Sequence, residues 1–493
     1  MSDRLHTLAR PPVTVERLPT RFVGDDRWVI TRPLFAGGEP RIRNVIERVS
    51  GLSESEVERL LRQILAGFQN RHADIEAVFD EHYRMACDIT EEADGTSTAR
   101  RRLIGSYFTM EYSIASAALF NPSIVPHPDQ TGVADGAKRF IMSLRATGEG
   151  HVSSIVFRTG TIQSDGSVQF DPPGRISHRV RQSPDRQYRK DLFRRKLREM
   201  SVDQTAVELV MNRLPDCFTF AELEHAINEA TRLEPMRLRS EESTQGMRWL
   251  ASANYQLRLS ERADISEMVI FPQSDNEQMG IEDLRLVPFV EDDGTVTYFG
   301  TYTAFNGYGV LPQLLETREF HTISMHTLNG SCAKNKGMAL FPRRIDGHYC
   351  MCSRVDGENL YIMYSDIVQF WETAEVLEGP RFPWEFMQIG NCGSPLETSA
   401  GWLLLTHGVG PMRTYCIGAM LLDRDDPTKV IGHLDQPLLT PNEEEREGYV
   451  PNVVYTCGAM IHGEALYMPY AMSDVATGFA VVSLNELLER LVP

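Results

Sequence analysis

Gly401-Trp402-Leu403-Leu404-Leu405-Thr406 is a turn glycine followed by a strand of bulky apolar residues, and the pattern recurs. Gly294-Thr295-Val296-Thr297-Tyr298-Phe299, Gly347-His348-Tyr349-Cys350-Met351-Cys352 and Gly463-Glu464-Ala465-Leu466-Tyr467-Met468 repeat it, with the glycines 53, 54 and 62 residues apart. Strand units recurring at about 50 residues indicate propeller blades of about four strands. With the strand-rich stretch from 103 to 180, the repeat predicts five blades. In a propeller the strand nearest the axis faces a central channel, so a polar residue at one end of that strand reaches it. Arg354, His407 and Tyr470, seven, six and seven residues after their glycines, hold that position.

Outside the repeat the texture is helical. Residues 1–45 are Pro- and Arg-rich with one strand at Trp28-Val29-Ile30-Thr31. Ser53-Glu54-Ser55-Glu56 is a capping box, and Val57, Leu60, Leu61, Ile64, Leu65 and Phe68 follow at helical spacing. A second helix is expected from about Arg71 to Ala86. The expected fold is mainly β: a five-bladed β-propeller at 103–493, a largely helical N-terminal extension at 1–102, and a helical insertion at about 185–255. The extension packs against the main domain or a second subunit, which leaves association into a homo-oligomer open. The basic run Arg189, Lys190, Arg194, Arg195, Lys196 and Arg198 in the insertion reads as a solvated face.

The chain has 493 residues, and 50 basic against 68 acidic side chains give a net charge of −18. So acidic a protein has no general attraction for nucleic acid or anionic membrane. No apolar run is long enough to span a bilayer, and the first six residues carry no apolar leader core. Eight scattered cysteines form no C-x-x-C pair. They read as reduced core thiols of a cytoplasmic protein, without a metal site.

Gly280-Ile281-Glu282-Asp283-Leu284-Arg285 precedes an apolar run, a turn at Asp292-Asp293-Gly294 and a β-rich strand. Adjacent strand residues face opposite sides of a sheet. Glu282 and Asp283 are therefore expected to part, one toward a cavity and the other toward Arg285. A neighbouring arginine keeps a carboxylate ionised, and burial pushes its pKa up. Alone the motif reads as a solvated acidic turn; a channel reached by Arg354 and His407 makes it an active-site candidate.

Phe120-Asn121-Pro122, the Gly280–Arg285 motif, Tyr302-Thr303-Ala304, Leu340-Phe341-Pro342, Arg354, Gly390-Asn391-Cys392-Gly393-Ser394-Pro395, Gly401 to Val409 and Tyr470-Ala471-Met472-Ser473-Asp474 occur in order across about 103–480. Together they resemble the inverting mannoside phosphorylases and β-mannosidases, a glycoside hydrolase family of five-bladed β-propellers, and most of all its longer members associated with β-1,2-linked mannooligosaccharides. The resemblance implies that Asp283 is the general acid, with proton transfer in some members running through a sugar hydroxyl. It implies phosphate binding by Arg354, with Lys336, His407 and Asn335, and sugar contacts from Asn121, Arg145, Glu282, Tyr302, Asn391 and Asp474. It implies no cofactor; a mannooligosaccharide and inorganic phosphate are the partners.

The chemistry fits. An inverting hydrolase needs an acid and a base that activates water. A phosphorylase needs the acid and a cationic cradle, for which arginine has the bidentate geometry. One Asp facing Arg354, His407 and Lys336 suits the second. The chain departs from the family pattern at Leu284, where many members have Pro, at Lys336-Gly337 for Arg-Asn, and at Gln388 for Lys; Lys334, Asn335 and Lys336 are placed to compensate. The competing readings are a hydrolase using Glu397 or Asp474 as base, a mannosyltransferase, and a non-catalytic interaction propeller. The acidic run from Asn442 to Glu447 reads as a solvated loop beside a rim segment from Gly448 to Asn452. Trp384 and Phe386 read as core packing ahead of sugar stacking.

Overall fold

The computed structural model describes residues 12–91, 96–174, 176–183, 186–233, 241–259 and 263–491. Residues 1–6, read above for a leader, lie outside these, as do residue 185 and residues 234–240 of the expected insertion.

Five four-stranded antiparallel blades follow one another along the chain. Blade 1 is Ala118–Pro126, Lys138–Thr147, Ser153–Ile162 and Val168–Phe170, and blade 2 is Gly280–Val290, Val296–Phe305, Val310–Thr317 and Thr322–Thr327. The parallel pairing of Gly280 with Ser153 joins these two into one sheet. Blade 3 is Ala339–Leu340, Tyr349–Ser353, Leu360–Ser365 and Glu375–Glu378. Blade 4 opens on Gln388–Asn391 and Leu396–Thr398, then runs through Gly401–Val409, Tyr415–Leu422 and Val430–His433. Blade 5 opens on Val454–Tyr455 and Met460–His462, continues through Ala465–Met472 and Ala476–Ser483, and takes Val15–Phe22 as its outer strand.

Hydrogen bonds stitch each blade to the next all the way round. Leu286 N donates to Ser123 Oγ, Val290 N to the Pro342 carbonyl, Ile389 N to Glu358, Tyr415 N to Asn452, and Cys457 N to Pro122. The last of these joins blade 5 to blade 1 and closes the ring. Val15–Phe22 pairs antiparallel with Ala476–Ser483, so the two ends of the described chain meet in one blade.

The glycine repeat marks the second strand of each of four blades, not the strand nearest the axis as expected. The innermost strands carry no comparable signature. They are short in blades 3 to 5, and in blades 1 and 2 they are buried on both faces, which removes the alternation that identifies a half-exposed strand.

Four helices fill the N-terminal region: Gly38–Ser50, Glu54–Phe68, Ile75–Thr90 and Thr98–Tyr107. Ser53 and Glu56 form both arms of the capping box. The strand expected from Ser106 begins at Thr109, because Ser106 and Tyr107 still belong to the fourth helix. That helix packs so tightly on Ile75–Thr90 that a Cβ at Gly105 would stand 1.9 Å from the Phe79 carbonyl oxygen.

Lys190–Glu199, Gln204–Met211, Phe220–Leu233 and Glu241–Ala253 form a separate helical cluster around Phe193, Leu197, Val207, Phe218 and Leu223. Here the solvated-face reading fails for Lys196. It is 3 % exposed, and its ammonium donates to Asn254 Oδ1, Thr327 Oγ1 and the Thr327 carbonyl, fastening the cluster to blade 2. Among the described residues no helix is long and apolar enough to cross a membrane, and all eight cysteines are free thiols.

Candidate active site

Asn121, Asp283, Lys336 and Asn391 lie in or just before the inner strands of blades 1 to 4, and most of the residues singled out by sequence gather around them at one mouth of the ring. Two bulges do much of the positioning. The pairing register slips between Phe120 and Ser123 and again between Glu282 and Arg285. Asn121 (φ 48°) and Asp283 (φ 56°) sit inside the slips in the left-handed region, which Asn and Asp tolerate better than bulkier residues.

This overturns the expectation that Glu282 and Asp283 part. The bulge cancels the strand alternation, and both carboxylates reach Arg145: Nη2 donates to Glu282 Oε1 at 2.8 Å and Nη1 to Asp283 Oδ1 at 3.4 Å. Asn121 Nδ2 donates to the same Asp283 oxygen at 2.7 Å. Arg285 pairs with neither carboxylate. It donates to the Asp283 carbonyl at 3.0 Å and to the Tyr455 hydroxyl at 2.7 Å.

Across the channel, Arg354 Nη1 stands 3.4 Å and Gln388 Nε2 3.1 Å from His407 Nε2. With two N–H donors aimed at it, Nε2 is the unprotonated nitrogen. Burial, then the charges of Arg354 and Arg285, hold the His407 pKa well below its ordinary value, so the ring is neutral. Gly390 makes this pairing fit. A Cβ there would meet Arg354 Cδ at 2.5 Å and His407 Cε1 at 2.6 Å. Tyr455 stacks edge-on against the His407 ring, with centroids 5.0 Å apart, linking the Arg285 and Arg354 sides.

The expected triple cation of Arg354, His407 and Lys336 is therefore reduced. His407 is neutral, and Lys336 Nζ lies 2.5 Å from Glu282 Oε2, on the Asp283 side. Asn335 is in the left-handed region (φ 63°), and its Oδ1 accepts from Lys336 N at 2.9 Å. Asn391 is fully buried beside His407, its amide 3.4 Å from the Gly393 carbonyl.

Asp474 (φ 55°) turns in from the hairpin of blade 5. Its pKa is pushed up to about 6 by burial and then by the Asp283 charge, against the pull of Arg145 and Arg413. Asp283 goes the other way. Burial raises its carboxyl, but Arg145, Arg285 and Lys336, with the Asn121 hydrogen bond, outweigh burial and hold it below the ordinary value. Polar atoms buried without a partner cluster here: Asn121 Oδ1, the Nε atoms of Arg145, Arg285 and Arg354, Asn391 Oδ1 and His407 Nδ1. Buried polar groups are rarely left unpaired, and unpaired ones concentrated at one mouth mark a site shaped for a polar ligand.

Several sequence assignments move. The Tyr302 hydroxyl donates to Glu277, a fully buried carboxylate that also takes the Tyr255 hydroxyl, so this side chain is tied into the core. Tyr470 donates to Glu445 at 2.7 Å, not into the channel. Glu445 is itself 1 % exposed and paired with Arg17, which corrects the solvated reading of its loop. Glu397 is held by Arg343 and Arg424 at the far end of blade 4 from His407. Phe386 is 63 % exposed and therefore outside the core, whereas Trp384 packs over Gly408 and Gly418. Tyr455, Gly390 and the Gln388–His407 contact were not read as site features. None lies in the repeat, and a glycine chosen to make room leaves no signal in one sequence.

A family profile described as beta-1,4-mannooligosaccharide phosphorylase matches residues 235–492. The chain is 27% identical over 271 residues to a beta-1,2-mannobiose phosphorylase of Listeria innocua, covering 52% of this chain and 74% of the relative. It is 30% identical over 229 residues to a beta-1,2-mannobiose phosphorylase of Thermoanaerobacter, covering 44% and 72%. A solved structure of the Listeria innocua beta-1,2-mannobiose phosphorylase with beta-1,2-mannobiose superposes with a TM-score of 0.46 at 20% identity, covering 77% of this chain and 93% of that one.

Proposed function

The chain belongs to the mannooligosaccharide phosphorylase family of glycoside hydrolases, and from that premise we propose that it cleaves β-mannosides, β-1,2-linked mannooligosaccharides in particular, with inorganic phosphate. The anomeric centre inverts and α-mannose 1-phosphate is released. The observation that carries this reading is Arg354: a guanidinium at the channel, facing the neutral His407, that among the described residues has no carboxylate partner. A planar cation left free in this way suits a phosphate oxyanion.

In the reaction a phosphate oxygen bonds to the anomeric carbon as the glycosidic C–O bond breaks. The bond's electron pair stays with the departing oxygen, which takes up the proton supplied by Asp283, directly or through a sugar hydroxyl. The surrounding cations keep Asp283 ionised. A phosphate anion cancels part of that field and raises the carboxyl toward the protonated form that a general acid needs. Asn121 and Arg145 fix the carboxylate, and Asp474 and Asn391 supply acceptors for sugar hydroxyls. No cofactor enters this scheme.

The hydrolase reading needs a base placed for water. Of its two candidates, Glu397 is tied to Arg343 and Arg424 away from the mouth. Incubation with β-1,2-mannooligosaccharides, with and without phosphate, tests the proposal. Mannose 1-phosphate formed only with phosphate is the expected result, and free mannose released at equal rates in both conditions overturns it.

A further inference from the structure

The mouth carries an aromatic feature that the chemistry above does not use. Tyr449, on the link into blade 5, is 70 % exposed, and its ring lies against the exposed ring of His151 from the turn between the second and third strands of blade 1. The centroids are 5.4 Å apart and the planes 23° from parallel. The backbone on both sides is fixed. Val450 N donates to the Ser473 carbonyl at 3.0 Å, next to Asp474, and Asn452 N donates to the Arg446 carbonyl at 2.9 Å. His151 is in the left-handed region (φ 58°), as is Gly150 before it (φ 66°). Two rings from two blades thus form a braced stack beside the pocket that holds Asp474 and Arg145, with the outer aromatic face open to solvent.

We propose that the Tyr449–His151 stack is a sugar platform outside the pocket, which holds a mannosyl unit beyond the two that flank the cleaved bond. A pyranose ring offers a largely C–H face with hydroxyls at its edges, and an exposed aromatic plane of similar size matches that face. A protein partner is a poorer match, since a specific interface buries about 800 Å² on each side and this platform is one ring wide with Glu149, Arg446 and Glu447 around it. Because the loop is held by its own hydrogen bonds, little ordering is lost when a sugar docks. The proposal rests on the mannoside reading above and adds a preference for longer substrates.

The test compares β-1,2-mannobiose with the triose, tetraose and pentaose on wild type, Tyr449→Ala, Tyr449→Phe and His151→Ala. Tyr449→Ala is expected to lower kcat/KM by about 5-fold for the triose and longer chains, through KM, and to leave the biose unchanged, the size of one aromatic contact. Tyr449→Phe, which keeps the ring, restores the longer substrates, and His151→Ala falls between. Equal loss at every length, or none at any, overturns the platform, and so does a change of oligomeric state on size-exclusion chromatography. Calorimetric binding of the same oligosaccharides without phosphate separates the two proposals. Length-dependent affinity that Tyr449→Ala removes supports the platform even where phosphorolysis fails, and phosphorolysis without length dependence overturns the platform alone.

Discussion

Arg354 Nη1 and His407 Nε2 stand 3.4 Å apart, a permanent cation against an imidazole that burial and that same cation keep neutral. The charge available to an anion on this side of the channel is thus the guanidinium, and His407 orients it. Arg354→Lys keeps a positive charge and loses the planar two-donor fork. The Michaelis constant for phosphate is expected to rise by about 10-fold or more, the worth of one charge-assisted hydrogen bond at 1.5–3 kcal/mol, while the constant for the mannoside changes little. Equal increases in both would remove the phosphate assignment.

Gly390 offers an independent handle on the same pair. A methyl group there overlaps Arg354 Cδ and His407 Cε1 at once, at 2.5 Å and 2.6 Å. Overpacking of this kind costs about 1–3 kcal/mol and is relieved by moving the side chains. Gly390→Ala is expected to fold, to bind mannoside, and to show a raised Michaelis constant for phosphate. An unchanged phosphate dependence would mean that the cradle lies elsewhere.

The strand repeat was legible because each marked strand packs bulky residues between its neighbours, as Trp402 to Leu405 do, and because hairpin glycines punctuate it. The candidate site was legible as residue types that the fold brings together: Asn121, Arg145, Asp283, Arg354, His407 and Asp474 converge at one mouth. What strand periodicity could not supply was their direction. The bulge at Asp283 adds one residue to its strand and reverses the facing rule, and a pairing slip is set by the register against a partner strand 16 to 25 residues away, which alternation within one strand does not encode. Tyr302 and Tyr470 failed for a related reason: their hydroxyls are claimed by Glu277 and Glu445, carboxylates that no local pattern connects to them.

Asp474 makes the pocket sensitive to pH. Its folded pKa of about 6 lies above the ordinary 3.8, so the folded state takes up this proton first as pH falls. The raised carboxyl therefore costs stability at neutral pH, and the cost shrinks by about 1.4 kcal/mol for each unit below 6. Asp474→Asn is expected to be more stable than wild type in urea at pH 7, with a smaller advantage at pH 5, and to have lost most turnover. An advantage that grows toward pH 5 would contradict the assignment.

The outer strand of blade 5 is held to its neighbours by Arg17, whose Nε donates to the buried Glu445 at 2.9 Å, while the Tyr470 hydroxyl donates to the same carboxylate. Arg17→Ala takes two guanidinium donors, at 2.9 and 3.2 Å, from that carboxylate, and a buried acceptor losing a partner costs about 1–3 kcal/mol. Denaturant titration should show that loss. The Michaelis constants should stay near wild type, because Arg17 approaches the propeller from its outer strand. A variant that unfolds at the wild-type midpoint would show that the seating of the outer strand does not depend on this pair.

Asp283→Asn is the sharpest test of the chemistry. The amide keeps the size of the carboxylate and its place between Asn121 and Arg145, but it cannot supply a proton. It also leaves the Arg145–Glu282 ion pair in place, so the fold keeps an ion pair where the charge was lost. General acid catalysis contributes about 10²–10⁴-fold, and turnover on unactivated mannosides should fall by that much while the far-UV spectrum and unfolding midpoint stay close to wild type. A mannoside whose leaving group needs no protonation should recover most of the lost rate, since the acid's work is then removed from the barrier. Near-normal turnover on the natural linkage, or no recovery with the activated leaving group, would assign the proton to another residue, and Asp474, the carboxyl that titrates at about 6 in the same pocket, would be the next to replace.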